Sequence, residues 1–559
     1  MQIILRKVAK MCKNTFNTFS FDTTIRNPQR NIDFLQVIDK IDGKVLDEKS
    51  LLIYWYEAIG KGIYRPQNVN AEVRNKLLKG ESLSENEIKK IMQDNPQKVG
   101  GFEGRAITHF KALHSQLLLI YDKQSKLVRI SKIGRELLEH THDVQNIYTK
   151  IMLGIHFGSP IRKENNRARV FLNTIFVIDL LKKQWAKLGN KSKGILKHEC
   201  VFVLGMKDCD YKQCVSEILT YRKMYGLKEH KEYIENYCVN NGLKHLKYDT
   251  RKDYVDEVFR KFAMSGLIIA RHNYYDFSSF EYKKIESILQ YYKDYAFMEF
   301  SDIYEYIDFV YSITLPWIEN NEVRKQIATQ KAKELDMSLE DSDFNDLALL
   351  ENKLNQTFYQ KALDGKIQVS QIDTLLKELR ILASLTQEKS SLDNIPEPLR
   401  LEYLLALILG KKYGSNNLES NLIYNENGEP LSYAPAGKAD LLYENFSFEA
   451  TMIKNRNQQL NSETTSIARH FYESKKQNAL EQRAMLIAPY IHWDVALFFK
   501  FCAKEFDSKL APISITSFIW LIEKSATFKE FSANFDRLFV NKLLSDKTDE
   551  YIDSVNFGK

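Results

Sequence analysis

Two acidic residues and a threonine stand close together in the stretch 439–454. They are Asp440, Glu449 and Thr451. The stretch predicts a β-hairpin in which Glu449 and Thr451 point to one face of a strand, and Asp440 joins them from the start of the paired strand. Converging carboxylates suit Mg²⁺, which, once bound, activates a water against a phosphodiester. The hairpin therefore indicates a metal-dependent phosphodiesterase, although acids in a solvated turn would have the same sequence.

A third acid lies in an apolar segment upstream. Residues 398–409 are apolar on almost every side, which predicts a buried helix, and Glu402 lies within it. A buried carboxylate needs a partner. Two interpretations stay open: Glu402 pairs with Arg400 or Lys411 or reaches the edge of the helix, or it belongs to the metal site.

Further polar residues follow the hairpin. Residues 462–482 have a helical pattern that places Glu463, Ile467 and His470 on one face, with Arg469 beside them. A guanidinium in this position suits a phosphate. The next segments alternate between apolar runs at 484–488 and 511–515 and helical patterns, which predicts a mixed sheet covered by helices, with the acids at one edge.

Together these residues resemble the cleavage domain of AlwI-type type II restriction endonucleases and their strand-nicking relatives. The N-terminal segment 21–30 is also similar to the opening of that family, so the resemblance covers most of the chain. The residues that carry the resemblance in the C-terminal part are Glu402, the segment 434–440 (Ala-Pro-Ala-Gly-Lys-Ala-Asp), Phe448-Glu449-Ala450-Thr451, Glu463 and Arg469-His470.

The resemblance implies a C-terminal α/β domain of the restriction-endonuclease-like PD-(D/E)xK type. It implies Asp440 and Glu449 as metal-binding acids, with Glu402 and Glu463 as further carboxylates of the site and Glu402 counted among the ligands of Mg²⁺. The implied reaction is hydrolysis of double-stranded DNA at a fixed distance beyond an asymmetric recognition site, as in type IIS enzymes. A cognate DNA methyltransferase is the implied functional partner.

One position departs from the wider nuclease pattern. That pattern has a lysine two residues after the second acid, where this chain has Thr451. Lys454 is the nearest lysine, and an odd number of steps from Glu449 would point it to the opposite face of a regular strand. The role of the missing lysine then falls to His470, Arg469 or Glu463, or to a second metal ion. The nicking relatives also lack this lysine, so the change does not imply inactivity.

Composition frames this interpretation. The chain has 559 residues, of which 44% are hydrophobic and 27% charged, and these values predict a folded protein with more than one domain. A net charge of +7 agrees with a polyanionic partner. Six cysteines without short paired spacings predict buried thiols in a reducing compartment and no zinc site. With no signal peptide and no apolar run long enough for a bilayer, we expect a cytoplasmic protein with no membrane partner.

The first half of the chain predicts a mainly α recognition region with helix-turn-helix or winged-helix units. Helices at 85–93 and 105–121, a strand at 126–131 and a helix at 132–138 have the order of a winged helix. A helix at 254–265 followed by strands at 267–271 and 274–277 repeats it, and residues 195–225 predict a helical hairpin between them. Such units place one helix in the major groove, although each could be purely structural.

Candidates for DNA contact lie near the N-terminus. Arg26, Asn27, Gln29 and Arg30 have side chains suited to reading base edges, while Asn27-Pro28 also predicts a helix N-cap followed by a proline in the first turn. A second basic group, Arg162, Lys163, Arg167 and Arg169, predicts either a strip facing phosphates or a solvated loop.

These observations predict three regions. Residues 1–300 form the recognition region, 301–393 a helical linker, and 394–559 the cleavage domain, with chain breaks at Asp364-Gly365 and at 394–398. One metal site cuts one strand, so double-strand cleavage would need a transient homodimer, a second subunit or sequential action. The alternatives are a structure-selective DNA repair nuclease and a DNA-binding regulator without enzymatic activity.

Overall fold

A computed structural model gives the fold of the chain. It describes residues 18–25, 27–60, 63–64, 66, 69–79, 83–94, 101–139, 143–162, 165–191, 193–243, 248–386, 388–432, 439–454, 456, 459–464, 467–468, 471 and 482–556. The chain divides into two compact units. The first comprises Met1–Pro28, Thr108–Lys123 and Arg129–Leu354. The second comprises Gln29–Ile107, Gln124–Val128 and Asn355–Lys559. The three regions with boundaries at 300 and 393 stay a prediction.

Helices dominate the described residues. They are α1 (Arg30–Ile38), α2 (Glu48–Gly60), α3 (Ala71–Lys79), α4 (Glu85–Asp94), α5 (Gly101–His114), α6 (Lys132–Glu139), α7 (Val144–Gly154), α8 (Val170–Lys187), α9 (Cys200–Leu204), α10 (Tyr211–Tyr225), α11 (Lys231–Asn240), α12 (Tyr248–Ala263), α13 (Tyr282–Tyr291), α14 (Ile303–Tyr311), α15 (Pro316–Glu319), α16 (Asn321–Glu334), α17 (Leu347–Val369), α18 (Ile372–Leu382), α19 (Glu397–Tyr413), α20 (Trp493–Glu505), α21 (Ile515–Lys524), α22 (Phe528–Phe535), α23 (Asn541–Ser545) and α24 (Thr548–Asn556). Over the described residues, every one of them is too short or too polar to cross a membrane.

Short strands form small sheets between these helices. They are β1 (Lys44–Val45), β2 (Leu119–Tyr121), β3 (Leu127–Ile130), β4 (Ile195–Leu196), β5 (Ile268–Ala270), β6 (Tyr274–Phe277), β7 (Leu418–Ser420), β8 (Ile423–Tyr424), β9 (Pro430–Ser432), β10 (Leu441–Tyr443), β11 (Phe446–Ala450), β12 (Arg483–Ala488) and β13 (Lys509–Ser514). In the second unit β1 pairs with β3, and in the first unit β6 pairs with both β4 and β5.

The first predicted winged-helix run differs from the structure at its second helix. The prediction continued this helix to Tyr121, but α5 ends at His114 and residues 119–121 form β2. The Ser115 hydroxyl and the Gln116 amide both donate to the Ala112 carbonyl, and Leu117 takes a positive φ of 63°, so the helix stops before the apolar run. The winged-helix identity of this run stays a prediction.

The second run agrees with the predicted order of elements. Helix α12 leads through Gly266, at a φ of +72°, into β5, and β5 pairs antiparallel with β6. The predicted helical hairpin at 195–225 is confirmed by α9 and α10, except that residues 195–196 form β4. Cys200, Cys214 and Cys238 are buried, as expected, whereas Cys209 and Cys502 are only half-buried.

The predicted mixed sheet is confirmed in the second unit. Its strand order is β13-β12-β11-β10-β7. Strands β11, β12 and β13 run parallel, whereas β10 pairs antiparallel with both β11 and β7. Residues 484–488 and 510–514 are buried throughout. Because successive residues of a strand face opposite sides, helices must cover both faces of β12 and β13.

Helix α19 provides the apolar support of this sheet. It follows Pro396, has a second proline in its first turn and ends at Gly414, whose φ is +98°. Residues 399–410 are all buried, which confirms the predicted buried helix, and α19 packs against β7, β10 and β11.

The predicted chain break at Asp364-Gly365 is wrong. Both residues lie inside α17, where the Gln360 side chain donates to Asp364 one turn later at 2.9 Å. Gly365 is exposed and a Cβ atom there would meet no other atom within 4 Å. Packing of the buried face of α17 therefore outweighs the weak helix propensity of one glycine. The other predicted break, at 394–398, does separate α18 from α19.

Two glycine-to-alanine substitutions should have opposite effects on stability. Gly428 has a φ of +67°, and a Cβ atom there would overlap the Ala362 carbonyl oxygen, so Gly428→Ala should cost about 1–3 kcal/mol. Gly365→Ala should stabilise α17 by about 0.5–1 kcal/mol. Thermal unfolding would measure both shifts in Tm, and a lower Tm for Gly365→Ala would contradict the helical assignment.

Candidate active site

The hairpin of β10 and β11 brings Asp440 and Glu449 together. Leu441 pairs with Phe448, so the same register, one residue further, places Asp440 across from Glu449. Side chains at such directly opposed positions share one face of the sheet. The Ala450 backbone N–H donates to Asp440 Oδ2 at 2.7 Å, which fixes the orientation of this carboxylate. Glu449 is only 8% exposed. Two carboxylates are thus held next to each other at one end of the hairpin.

Glu402 lies on α19 and is 5% exposed. Burial raises the pKa of the Tyr424 hydroxyl, and the negative charge of Glu402 adds to this rise, so the two groups are near each other. Tyr424 also shares a hydrogen bond of 2.6 Å with Ser420, which pairs with Leu441 beside Asp440. The interpretation in which Glu402 reaches the edge of its helix is wrong, because its side chain is buried.

The basic residues considered as partners of Glu402 contact backbone carbonyls. Arg400 donates to the Ile395 carbonyl through Nε and Nη2, at 3.2 and 2.8 Å. Lys411 donates to the Gln368 carbonyl at 2.9 Å. Within the described part of the chain, no three His, Cys, Asp or Glu side chains form a group that could hold a metal ion. Membership of Glu402 in a metal site therefore stays a prediction.

The donor chemistry of the hairpin fits magnesium. Mg²⁺ commonly uses one or two protein carboxylates and completes its coordination with waters and substrate phosphates. Asp440 and Glu449 supply two carboxylates from adjacent strands. The pair is therefore sufficient in kind and number for the protein side of such a site.

The residues predicted after the hairpin are described only in part. Glu463 lies in a π-helix, Gln459–Thr464. π-Helices are rare in proteins overall, and those that occur are often found at functional sites. The side chain of Glu463 is outside the described residues. Arg469 and His470 also lie outside them, as does the segment 433–438. Ile467, which shares the predicted face, is buried. The roles of these three polar residues stay predictions.

Thr451 makes hydrogen bonds with the backbone of two other residues. Its backbone N–H donates to the Ile487 carbonyl at 2.9 Å, and its hydroxyl accepts a hydrogen bond from the Ile453 N–H at 3.2 Å. Strand β11 ends at Ala450, so the prediction that Lys454 points to the opposite strand face does not apply. Lys454 lies in the irregular segment after the strand, where its carbonyl is 2.8 Å from His492 Nε2.

The predicted DNA-contacting residues near the N-terminus have mixed outcomes. Arg26 is outside the described residues. The predicted N-cap at Asn27 is wrong, because α1 begins at Arg30 and Gln29 takes the cap position without a side-chain hydrogen bond. Arg30 donates to the Ile63 carbonyl and stacks on Phe34, with 5.2 Å between the guanidinium carbon and the ring centre. Base readout by Arg26, Asn27, Gln29 and Arg30 stays a prediction.

Two members of the second basic group are buried, so they face neither solvent nor a phosphate. Arg162 and Arg169 are 9% and 3% exposed. Arg162 stacks on Phe19 and Phe21, and Arg169 donates to the Leu153 carbonyl. Arg167 is exposed, and Lys163 is outside the described residues. Aromatic rings and carbonyls satisfy buried guanidinium groups, a pattern that a count of charges in the sequence does not reveal.

Comparison of the sequence with known protein families gives a match over most of the chain. The chain matches the AlwI restriction endonuclease family over residues 115–521. No curated protein matches the chain.

Among solved structures, the chain is similar to three restriction enzyme chains. The small subunit (R.BspD6I2) of the heterodimeric restriction endonuclease R.BspD6I is 20% identical, with 33% of this chain and 98% of that chain covered and a TM-score of 0.27. Restriction endonuclease FokI is 10% identical, with 93% and 99% covered and a TM-score of 0.22. FokI bound to DNA is also 10% identical, with 94% and 99% covered and a TM-score of 0.23.

The TM-scores are low, so the assignment rests on the sequence match alone. The matched residues make up more than half of the chain and include Glu402, Asp440, Glu449 and Glu463. The chain belongs to the AlwI restriction endonuclease family and is a type II deoxyribonuclease.

Proposed function

We propose that the chain is a Mg²⁺-dependent, sequence-specific endonuclease that cuts DNA at a fixed distance outside an asymmetric recognition site, as type IIS enzymes do. The main support is the position of Asp440 opposite Glu449, one residue beyond the last pair of β10 and β11, together with the hydrogen bond from the Ala450 N–H to Asp440. Membership of the AlwI family favours this function over a repair nuclease and over a regulator without enzymatic activity.

In the proposed site, Asp440 and Glu449 hold the metal ion. Glu402 is proposed as a further carboxylate of the site, although it forms no three-ligand group with this pair among the described residues. A bound Mg²⁺ supplies Lewis acidity to the scissile phosphate and lowers the pKa of a bound water. The Ala450 N–H keeps Asp440 oriented while DNA enters. Charge stabilisation or proton transfer falls to Glu463, Arg469 or His470, or to a second metal ion, because Thr451 has no charge and its hydroxyl oxygen accepts a hydrogen bond from the Ile453 N–H.

Recognition is assigned to the N-terminal part of the chain. Arg26, Asn27, Gln29 and Arg30 would read bases there, and the helices at 301–393 would separate the recognised sequence from the cut. One hairpin cuts one strand, so double-strand cleavage would require a transient homodimer or a second subunit. A cognate DNA methyltransferase would protect the host sequence.

The direct test is to incubate purified protein with plasmid DNA in the presence of Mg²⁺ or of EDTA and to sequence the ends. Breaks that need Mg²⁺ and lie at a constant offset from one asymmetric sequence are expected. Breaks at random positions, or breaks inside the recognised sequence, would contradict the proposal. Breaks in one strand only would identify a nicking enzyme.

Neutralising either acid of the hairpin should abolish cleavage. Asp440→Asn and Glu449→Gln each remove a metal ligand and should lower the cleavage rate by at least about 1000-fold, since several kcal/mol of charge stabilisation are lost. Plasmid cleavage would measure the rate, and a gel shift in EDTA should show unchanged DNA binding. Glu444→Gln is the matched control, because Glu444 is an exposed acid in the turn of the same hairpin. Cleavage by either site variant at the wild-type rate would refute the site.

Replacement of Thr451 should affect stability more than catalysis. Thr451→Val removes the acceptor for the Ile453 N–H and should cost about 1 kcal/mol of folding free energy, whereas Thr451→Ser keeps it. We expect Thr451→Val to lower Tm and to cut within about tenfold of the wild-type rate. A folded Thr451→Val protein that cuts more than about 100-fold more slowly would show that Thr451 acts directly in the reaction.

A further inference from the structure

Two loops leave the carboxyl edge of the sheet next to the acid-bearing strand. One follows β11 and is described at 452–454, Arg456 and the π-helix from Gln459 onwards. The other follows β12 and runs through 489–492 into α20. Because β11 and β12 are parallel neighbours, both loops emerge at the same end of the sheet as Glu449.

Gln459 joins these two loops. It is 0% exposed, and its amide nitrogen donates to the Ile453 carbonyl at 3.0 Å and to the Tyr490 carbonyl at 2.9 Å. Its amide oxygen accepts a hydrogen bond from the His492 N–H at 3.4 Å. Both N–H groups and the oxygen of one buried amide are therefore used to connect the segment after β11 with the loop after β12.

His492, in the loop after β12, also contacts the segment after β11. It is 7% exposed, and its Nε2 donates to the Lys454 carbonyl at 2.8 Å. Since a carbonyl only accepts, this nitrogen must carry a proton. On the surface, Arg456 Nε donates to both carboxylate oxygens of Asp494 at 2.7 and 2.8 Å.

These hydrogen bonds hold the segment that leads from β11 to the π-helix. Thr451 is tied to the Ile487 carbonyl, and Gln459 begins the π-helix that contains Glu463. Between them the backbone has left the sheet, so no strand pairing holds residues 452–454 in place. The side chains of Gln459 and His492 supply the hydrogen bonds that fix the Ile453 and Lys454 carbonyls.

We propose that Gln459 and His492 are positioning residues for DNA cleavage. This inference rests on the proposed function. They hold the acid strand and the helix of Glu463 at one fixed separation, and neither needs to touch DNA. Their removal should slow the chemical step and leave DNA binding unchanged, because small displacements of reacting groups cost about 100-fold in rate.

A purely structural role is the competing explanation, and the chain offers a matched control. Asn556 also makes two hydrogen bonds to the loop after β12, with 2.8 Å from its oxygen to the Ile491 N–H and 2.8 Å from its nitrogen to the Ile491 carbonyl. Asn556→Ala thus loosens the same loop without touching the segment after β11. If general stability alone mattered, Gln459→Ala and Asn556→Ala would slow cleavage equally for an equal loss of Tm.

The experiment measures single-turnover cleavage of plasmid DNA by excess protein in Mg²⁺, DNA affinity by gel shift in EDTA, and Tm. We expect Gln459→Ala to cut about 100-fold more slowly with its affinity unchanged within about twofold. Asn556→Ala should cut within about threefold of the wild-type rate at a comparable loss of Tm. Gln459→Met, which keeps most of the side-chain volume but no donor, serves if Gln459→Ala does not fold.

His492 provides an independent arm. His492→Phe removes the donor to the Lys454 carbonyl and should slow cleavage, and His492→Gln, which retains an N–H donor, should recover most of the rate. The proposal is overturned if the Gln459 and His492 variants cut at the wild-type rate, or if Asn556→Ala is equally slow. Asp440→Asn, tested in parallel, separates the two proposals: if it still cuts, the proposed site itself is wrong.

Discussion

The backbone pairing of β11 with both of its neighbours decides where the acids of the site lie. The strand is antiparallel to β10 and parallel to β12, so pairing fixes residues 446–448 from two sides and Glu449 from the side of β12. A slip of one residue would turn Glu449 to the other face of the sheet and separate it from Asp440. The same slip would expose Phe446 and Phe448, which are fully buried. Apolar packing therefore enforces the register on which the proposed chemistry depends.

The elements of the C-terminal part were readable in the sequence because buried parallel strands appear as uninterrupted apolar runs. Residues 484–488 and the run that became β13 are of this kind, and the all-apolar face pattern of α19 is equally direct. Errors occurred where a local signal competed with packing. Asp364-Gly365 has the composition of a turn, yet α17 continues through it. The end of α5 depends on hydrogen bonds of Ser115 and Gln116 that no periodicity displays.

Within the candidate site, the sequence indicated which acids are present, but it did not indicate which side chains hold the loops around them. The cross-strand position of Asp440 and Glu449 follows from the length of the hairpin, and it was predicted. Gln459 and His492 were missed, because an amide and an imidazole near apolar residues have many structural explanations. The only available signal is their position: each follows a buried strand at the edge where the acids stand. The enclosed guanidinium groups of Arg162 and Arg169 illustrate the opposite error, since charge alone suggested exposure.

The hydrogen bond from Ala450 to Asp440 comes from the main chain. Any amino acid except proline supplies the same donor, so the orientation of the carboxylate does not depend on which side chain stands at position 450, where Ala450 is half-buried against the core. Any residue that this packing accommodates can therefore replace Ala450 beside the proposed catalytic acids without disturbing the orientation of Asp440. Relatives of this enzyme need not share a residue at that position to share its geometry.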